Sequence, residues 1–197
     1  MFMRPDIILI GPFGAGKSTL AKHLVRRLGW SCRSLDEGYY RYLRQIEGFN
    51  DEIENQIYTW ELTSPQRQPY NAYAVERFLL EHSNPDERYV LEFGAGHSVY
   101  EDREHLNRVK QILAPYPNLV LILPSPDHEE SVQILLDQIR QHRLKGRNMS
   151  DERICNINRY IVEHHSNYEL AKITVYTKGR SPKETSEEIC HRIGLQV

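Results

Sequence analysis

Lys17 and Ser18 close the run Gly11-Pro12-Phe13-Gly14-Ala15-Gly16-Lys17-Ser18, which fits the pattern G-x-x-x-x-G-K-[ST]. These residue types at this spacing suit a phosphate cradle. Glycines at 11, 14 and 16 let the backbone curl so that successive N–H groups point inward, and a helix starting behind them adds the positive end of its dipole. Lys17 would bridge the β- and γ-phosphates of a nucleotide and the Ser18 hydroxyl would ligate Mg²⁺, with Ala15 and Thr19 completing the nucleotide-binding set. The bland alternative is a glycine turn between a strand and a helix. The flanks match the first reading: Ile7–Ile10 is an apolar run suited to a strand buried on both faces, and Thr19, Leu20, Ala21, His23, Leu24 and Leu28 have helical spacing.

The 197 residues suffice for one well-buried domain with a small mobile subdomain. A net charge of −2 and a pI near 6.5 offer no general attraction to nucleic acid or an anionic membrane, so the expected partner is a small molecule. Cys32, Cys155 and Cys190 are odd in number, widely spaced and lack a C-x-x-C pair, which indicates neither a disulfide framework nor a zinc site. The apolar run after Arg4 is too short for a signal or membrane segment, so a cytoplasmic location is expected. No long heptad or large apolar stripe calls for an obligate oligomer, and the expected state is a monomer or weak dimer.

After Gly29, a natural helix C-cap, Trp30–Leu35 reads as a second strand that stops at Asp36. A carboxylate at the carboxyl end of a strand in an open α/β sheet faces the ligand crevice, which makes Asp36 a candidate for Mg²⁺ or the acceptor hydroxyl. It could equally cap a helix over Glu37–Ile46. Residues 38–85 are rich in tyrosine, with Ser64–Pro69 separating helices near 51–62 and 70–82; their tyrosines either cup an acceptor or pack on the sheet edge. Arg88–Phe93 reads as a third strand running into the small-residue loop Gly94-Ala95-Gly96-His97-Ser98, where backbone can approach a ligand. Glu92 in that strand is placed either to orient a metal or to face solvent.

Further on, Glu101–Leu113 is an amphipathic helix, Leu119–Leu123 a strand opened by Asn118, and Ser131–Ile139 a helix. It leads into Arg140-Gln141-His142-Arg143-Leu144-Lys145-Gly146-Arg147-Asn148, a basic stretch that is either a solvated helix end or a lid whose arginines close over phosphates. A helix over 151–164, a fifth strand at Ile173–Tyr176, a turn at Lys178–Pro182 and a closing helix to about Ile193 complete the chain. The expected fold is α/β: five parallel strands with helices on both faces, in three layers, and a mobile lid.

With these pieces placed, the sequence resembles the shikimate kinase family and, more broadly, the nucleoside-monophosphate-kinase-like P-loop kinases, over most of the chain apart from 38–85. That family has an Asp ending strand two, a V-[IL]-x-T-G-G-G loop ending strand three, a lid flanked by arginines and a late turn with Gly and Pro. The counterparts here are Asp36, Val90-Leu91-Glu92-Phe93-Gly94-Ala95-Gly96, Arg140 with Arg147, and Gly179-Arg180-Ser181-Pro182 after Asn167–Val175. The resemblance implies a single kinase domain using ATP and Mg²⁺, with an acceptor-binding segment at about 37–85 and a lid at about 140–153. It further implies Asp36 at the acceptor, Gly94 and Gly96 lining its pocket, Arg147 on the phosphates, and Arg140 and Pro182 around the adenine.

The departures bear on the acceptor. The family's D-x-D is Ser34-Leu35-Asp36, its F-R-x-x-E has no match beyond the nearby Arg67 and Arg77, and the arginine before N-P-L-Y falls near His164 or His165. Losing those arginines removes the bidentate partners of a carboxylate, which favours nucleotide chemistry over shikimate as acceptor. The expected activity is ATP-dependent phosphoryl transfer to a small molecule, with Lys17, Asp36 and Arg147 as the catalytic set. A P-loop NTPase or nucleotide-dependent switch, using 38–85 as a partner surface, is the alternative from another class.

Overall fold

A computed structural model describes residues 3–59, 61, 63–142 and 150–195. The chain alternates strand and helix: β1 (Ile7–Ile10), α1 (Lys17–Leu28), β2 (Ser31–Ser34), α2 (Leu35–Leu43), α3 (Asp51–Thr59), α4 (Gln68–Glu81), β3 (Tyr89–Glu92), α5 (Arg103–Leu113), β4 (Asn118–Leu123), α6 (His128–His142), α7 (Asp151–Glu163), α8 (His165–Leu170), β5 (Ile173–Tyr176) and α9 (Pro182–Arg192). All five strands are parallel, in the order β2-β3-β1-β4-β5. β1 is central and wholly buried, as its unbroken apolar run requires.

Right-handed crossovers fix the layers. The chain steps one way from β1 to β2 through α1, and the other way in every later crossing, so α1 lies on one face and the intervening helices on the other. α9 returns to pack on α1, while α4, α5 and α8 pack in series on the opposite face. The carboxyl ends of all the strands then meet at one edge, and the connections leaving the neighbours β1 and β4 run in opposite directions, where an open α/β sheet forms its ligand crevice.

Four elements differ from the sequence reading. Asp36 is not the N-cap of α2; the helix starts at Leu35, whose side chain is fully buried, with Ser34 in the cap position and Asp36 in the first turn beside the helix dipole's positive end. Two separate helices do flank Ser64–Pro69, but the second begins before residue 70, because Pro65 opens a short 3-10 turn that runs directly into α4 with Pro69 in its first turn, where proline's missing N–H costs nothing. α6 begins earlier than Ser131 because the Asp127 carboxylate accepts from the Glu130 N–H. α8 went unread, being only six residues long; the His164 side chain caps it by accepting from the Ser166 N–H. Of the expected lid, only 140–142 and 150–153 are described, and Arg147 lies outside the described residues.

Candidate active site

The phosphate loop leaves β1 at Gly11, where φ is +144° and a Cβ would stand 2.5 Å from the carbonyl oxygen of Ile122. Only glycine permits the loop to turn this close to β4. At Gly16 φ is +81° and a Cβ would meet nothing within 4 Å, so the left-handed residue ahead of α1 opens onto free space. α1 has no side-chain cap, so no capping side chain takes the N–H groups of its first turn. The Lys17 Nζ donates to the carbonyl oxygens of Gly11 and Pro12 at 2.9 and 3.0 Å, folding the ammonium over the loop. Ala15 is buried beneath it, Gly14 packs against Ile139 of α6, and Thr19 is exposed on the first turn of α1.

The loop's tip is pinned from α7. The Asn158 side-chain amide accepts from the Phe13 N–H at 3.0 Å and donates to the Phe13 carbonyl at 2.9 Å. Nothing local in the sequence marks Asn158, whose partner is 145 residues away.

Ser18 Oγ donates to Glu92 Oε1 at 2.7 Å. Glu92 is 9% exposed, which overturns the solvent-facing reading of this strand end. Burial raises its carboxyl above the ordinary value, while the Ser18 hydroxyl and Lys17 pull it down. Asp36 approaches from the first turn of α2 with its side chain 58% exposed. Its Oδ1 lies 2.0 Å from where a Cβ on Gly94 would stand, so the loop after β3 admits Asp36 only because residue 94 has no side chain. Among the described residues, no group of three or more His, Cys, Asp or Glu could hold a metal alone. The oxygen set of Ser18, Glu92 and Asp36 nonetheless fits Mg²⁺, a hard cation that takes one or two carboxylates and completes its shell with nucleotide phosphates and water.

On the far side of Asp36 the β3 loop is braced by residues that sequence reasoning missed. The Gly94 N–H donates to His97 Nδ1 at 3.1 Å, His97 stacks on Tyr39 with centroids 4.9 Å apart, and Tyr39 OH donates to Asn71 Oδ1 at 2.7 Å. Asn71 in turn donates to the Gly96 carbonyl at 3.2 Å. Arg67, buried at the start of α4, holds its guanidinium 5.6 Å over the Tyr39 ring. Burial drives the Tyr39 phenol up to about 12 despite Arg67. Arg77, the other arginine near the missing F-R-x-x-E, is exposed and donates to Gln45 at 2.9 Å. Arg67 had one readable signal: it is the arginine directly ahead of the helix that leads into β3.

The 3.7 Å approach of His97 Nδ1 to Asp36 Oδ1 is not an ion pair. Nδ1 accepts from Gly94 and so carries a lone pair, and burial pushes His97 from its ordinary value near 6.5 down to about 4. Between those values the unfolded chain binds the extra proton, so folding stability rises with pH. About 2 kcal/mol is expected to be lost between pH 7 and pH 5 through this residue. Chemical denaturation at the two pH values should show that loss in the wild type and a smaller one in His97→Gln; equal losses would contradict a buried neutral His97.

Of the two residues expected around an adenine, Arg140 donates from Nε and Nη2 to Asp151 Oδ2 at 2.9 and 2.7 Å, tying the end of α6 to the start of α7 and not to the phosphate loop. Pro182 is exposed at the first position of α9, behind a Ser181–Glu184 capping box. The preceding turn is fixed at the end of β4 by Lys178 N–H donating to the Pro124 carbonyl at 2.8 Å. His164 and His165, where the family's second arginine would fall, are engaged by Ser166 and Glu169. A cleft of about 340 Å³ between Glu61, Thr63 and α7 residues Arg153, Ile157 and Tyr160 adjoins the two loops, since Ile157 and Tyr160 pack with Ala95 and Phe13.

The chain has the fold of the P-loop kinases of small molecules. Among solved structures it is similar to shikimate kinase from Acinetobacter baumannii in complex with shikimate, with a TM-score of 0.62 and 17% identity over 96% of this chain and 93% of that one. A gluconokinase from Sinorhizobium meliloti 1021 gives 0.60 and 16% over 98% and 93%, and the tunicamycin resistance protein of Deinococcus radiodurans 0.59 and 16% over 98% and 97%. No protein-family model and no curated protein sequence matches the chain. Among the described residues, no helix is long and apolar enough to cross a membrane.

Proposed function

We propose that this protein transfers the γ-phosphoryl group of ATP, as its Mg²⁺ complex, to a small-molecule acceptor. The observation that carries the reading is the convergence of Lys17, Ser18, Glu92 and Asp36 at the carboxyl ends of β1, β2 and β3, around an open glycine loop. Lys17 leaves the carbonyls of Gly11 and Pro12 for the β- and γ-phosphates, and the α1 N-terminus takes the remaining phosphate charge. Mg²⁺, with Ser18 among its ligands, supplies charge neutralisation across the phosphates. Asp36 orients the acceptor hydroxyl and takes its proton as the new O–P bond forms and the bond from the γ-phosphorus to the β–γ bridging oxygen breaks, leaving ADP. Most of the rate enhancement then comes from positioning and electrostatics.

Residues 37–85 form the acceptor side and 140–153 the lid, with Arg147 on the transferring phosphoryl group and Arg140 and Pro182 bordering the adenine. The acceptor lies between Asp36, Gly94 and Gly96, and the adjoining cleft has the volume for a small metabolite. Shikimate is a poor fit: Arg67 offers one buried cation on this side, but His164 and His165 stand where a second arginine would complete a carboxylate clamp. An assay of ADP release against shikimate, gluconate, nucleosides and nucleoside monophosphates tests the proposal. Release stimulated by one acceptor class supports it, and hydrolysis at one slow rate with every acceptor counts against it.

A further inference from the structure

α7 carries two neighbouring stripes of side chains. Arg153, Asn156, Ile157 and Tyr160, spaced three and four apart, wall the cleft of about 340 Å³. Ile154, Asn158 and Ile161 form the next stripe, turned to the interior, and Asn158 in it is 1% exposed. Packing alone does not call for an amide at that place, because a leucine would fill it without the cost of burying polar atoms. What the amide holds explains it. It meets both the N–H and the C=O of Phe13, at 3.0 and 2.9 Å, and so fixes the peptide units on either side of the tip of the phosphate loop. The Phe13 ring packs against both small apolar clusters beside the loop, one holding Ala95, Ile157 and Ile161 and the other Leu136, Ile139 and Ile154. The tip is thus seated on α6 and α7. The loop needs such a seat, since Gly11, Gly14 and Gly16 all have positive φ and glycines by themselves leave an arch many conformations.

We propose that Asn158 is a positioning residue that couples the two halves of the site: it holds the loop in the arch that receives a β-phosphate, and through it a polyphosphate in the loop steadies the cleft wall of α7. One short helix meets the phosphate loop with one stripe and the cleft with the next, so neither can shift without the other. Coupling of this kind is reciprocal: whatever steadies α7 from the cleft strengthens nucleotide binding by the same factor. The inference rests on the nucleotide-binding reading above.

Displacement of N-methylanthraniloyl-ADP by ADP and by AMP, both with Mg²⁺, reads the positioning, since only ADP brings a β-phosphate to the loop. Asn158→Leu should weaken ADP on the order of tenfold, through the two hydrogen bonds lost, and leave AMP within about twofold. Hydrogen exchange reads the coupling: saturating ADP should slow exchange over 153–160 in the wild type and leave it unchanged in Asn158→Leu. A folded variant that weakens ADP and AMP equally, or neither, overturns the positioning role, and one that still shows the slowed exchange at saturating ADP overturns the coupling. Should Asn158→Leu not fold, Asn158→Ser takes its place with the same expected results; unfolding of both marks Asn158 as purely structural and overturns the inference. Wild-type protein that binds ADP with no change over 153–160 overturns this inference alone, whereas wild-type protein that does not bind ADP overturns the nucleotide reading and the inference together.

Discussion

Lys17→Ala is expected to lower kcat/KM for phosphoryl transfer on the order of 10³-fold while the protein still melts as a folded domain. The Lys17 side chain is half-buried at the mouth of the loop and its ammonium donates to the carbonyl oxygens of Gly11 and Pro12. It is not part of the apolar core that holds the sheet together. Removing it leaves the backbone cradle formed by Gly16 and the start of α1 but takes away the mobile positive charge that follows the γ-phosphoryl group. Lys17→Arg should not rescue, since a planar guanidinium cannot replace a compact ammonium in a loop closed by its own carbonyls. Initial rates set against thermal melts of the three proteins check both halves, and a folded Lys17→Ala with wild-type turnover would contradict them.

Gly94→Ala should cost on the order of 10²-fold in kcat through a single methyl group. That methyl would fall 2.0 Å from Asp36 Oδ1 and 2.7 Å from its carboxyl carbon, so Asp36 must leave the position it holds. Its side chain is more than half exposed and can rotate away, which keeps the cost in stability small. The loop itself has little room to yield, being braced through His97, Asn71 and the Ser98 carbonyl, which accepts from Ser166 Oγ at 2.7 Å. The loss should therefore appear in kcat, with KM for ATP within about twofold, because the role proposed for Asp36 is on the acceptor hydroxyl and not on the nucleotide. Steady-state kinetics at saturating acceptor separate the two parameters, and a rise in KM for ATP with kcat intact would place Asp36 on the nucleotide side instead.

The parts of this site that could be read in advance are those encoded by neighbours in sequence. The phosphate loop is contiguous, and Ile7–Ile10 and Asn118–Leu123 announce buried strands by unbroken apolar runs. β5 falls at Ile173–Tyr176 as expected. The unread parts depend on contacts across the fold. Asn158 reaches Phe13 over 145 residues, Ser18 reaches Glu92 over 74, and Tyr39 reaches Asn71 over 32, and none of these pairings is written in a local pattern. Glu92 looked ambiguous because a charged residue at a strand end is ordinarily solvated, and only the packing around it shows a buried acid beside Ser18. The tyrosine-rich segment divides in the same way: Tyr39 and Tyr42 are core residues, Tyr58 is 78% exposed, and periodicity alone cannot sort residues on short helices separated by irregular turns.

The most direct measurement follows the label from [γ-³²P]ATP in the presence of an acceptor that stimulates ADP release. Label recovered in a phosphorylated organic product, in equal amount to ADP and lost in Lys17→Ala, is the expected result. Label recovered only as inorganic phosphate, at a rate that no acceptor alters, would contradict phosphoryl transfer and make the protein a nucleotide hydrolase.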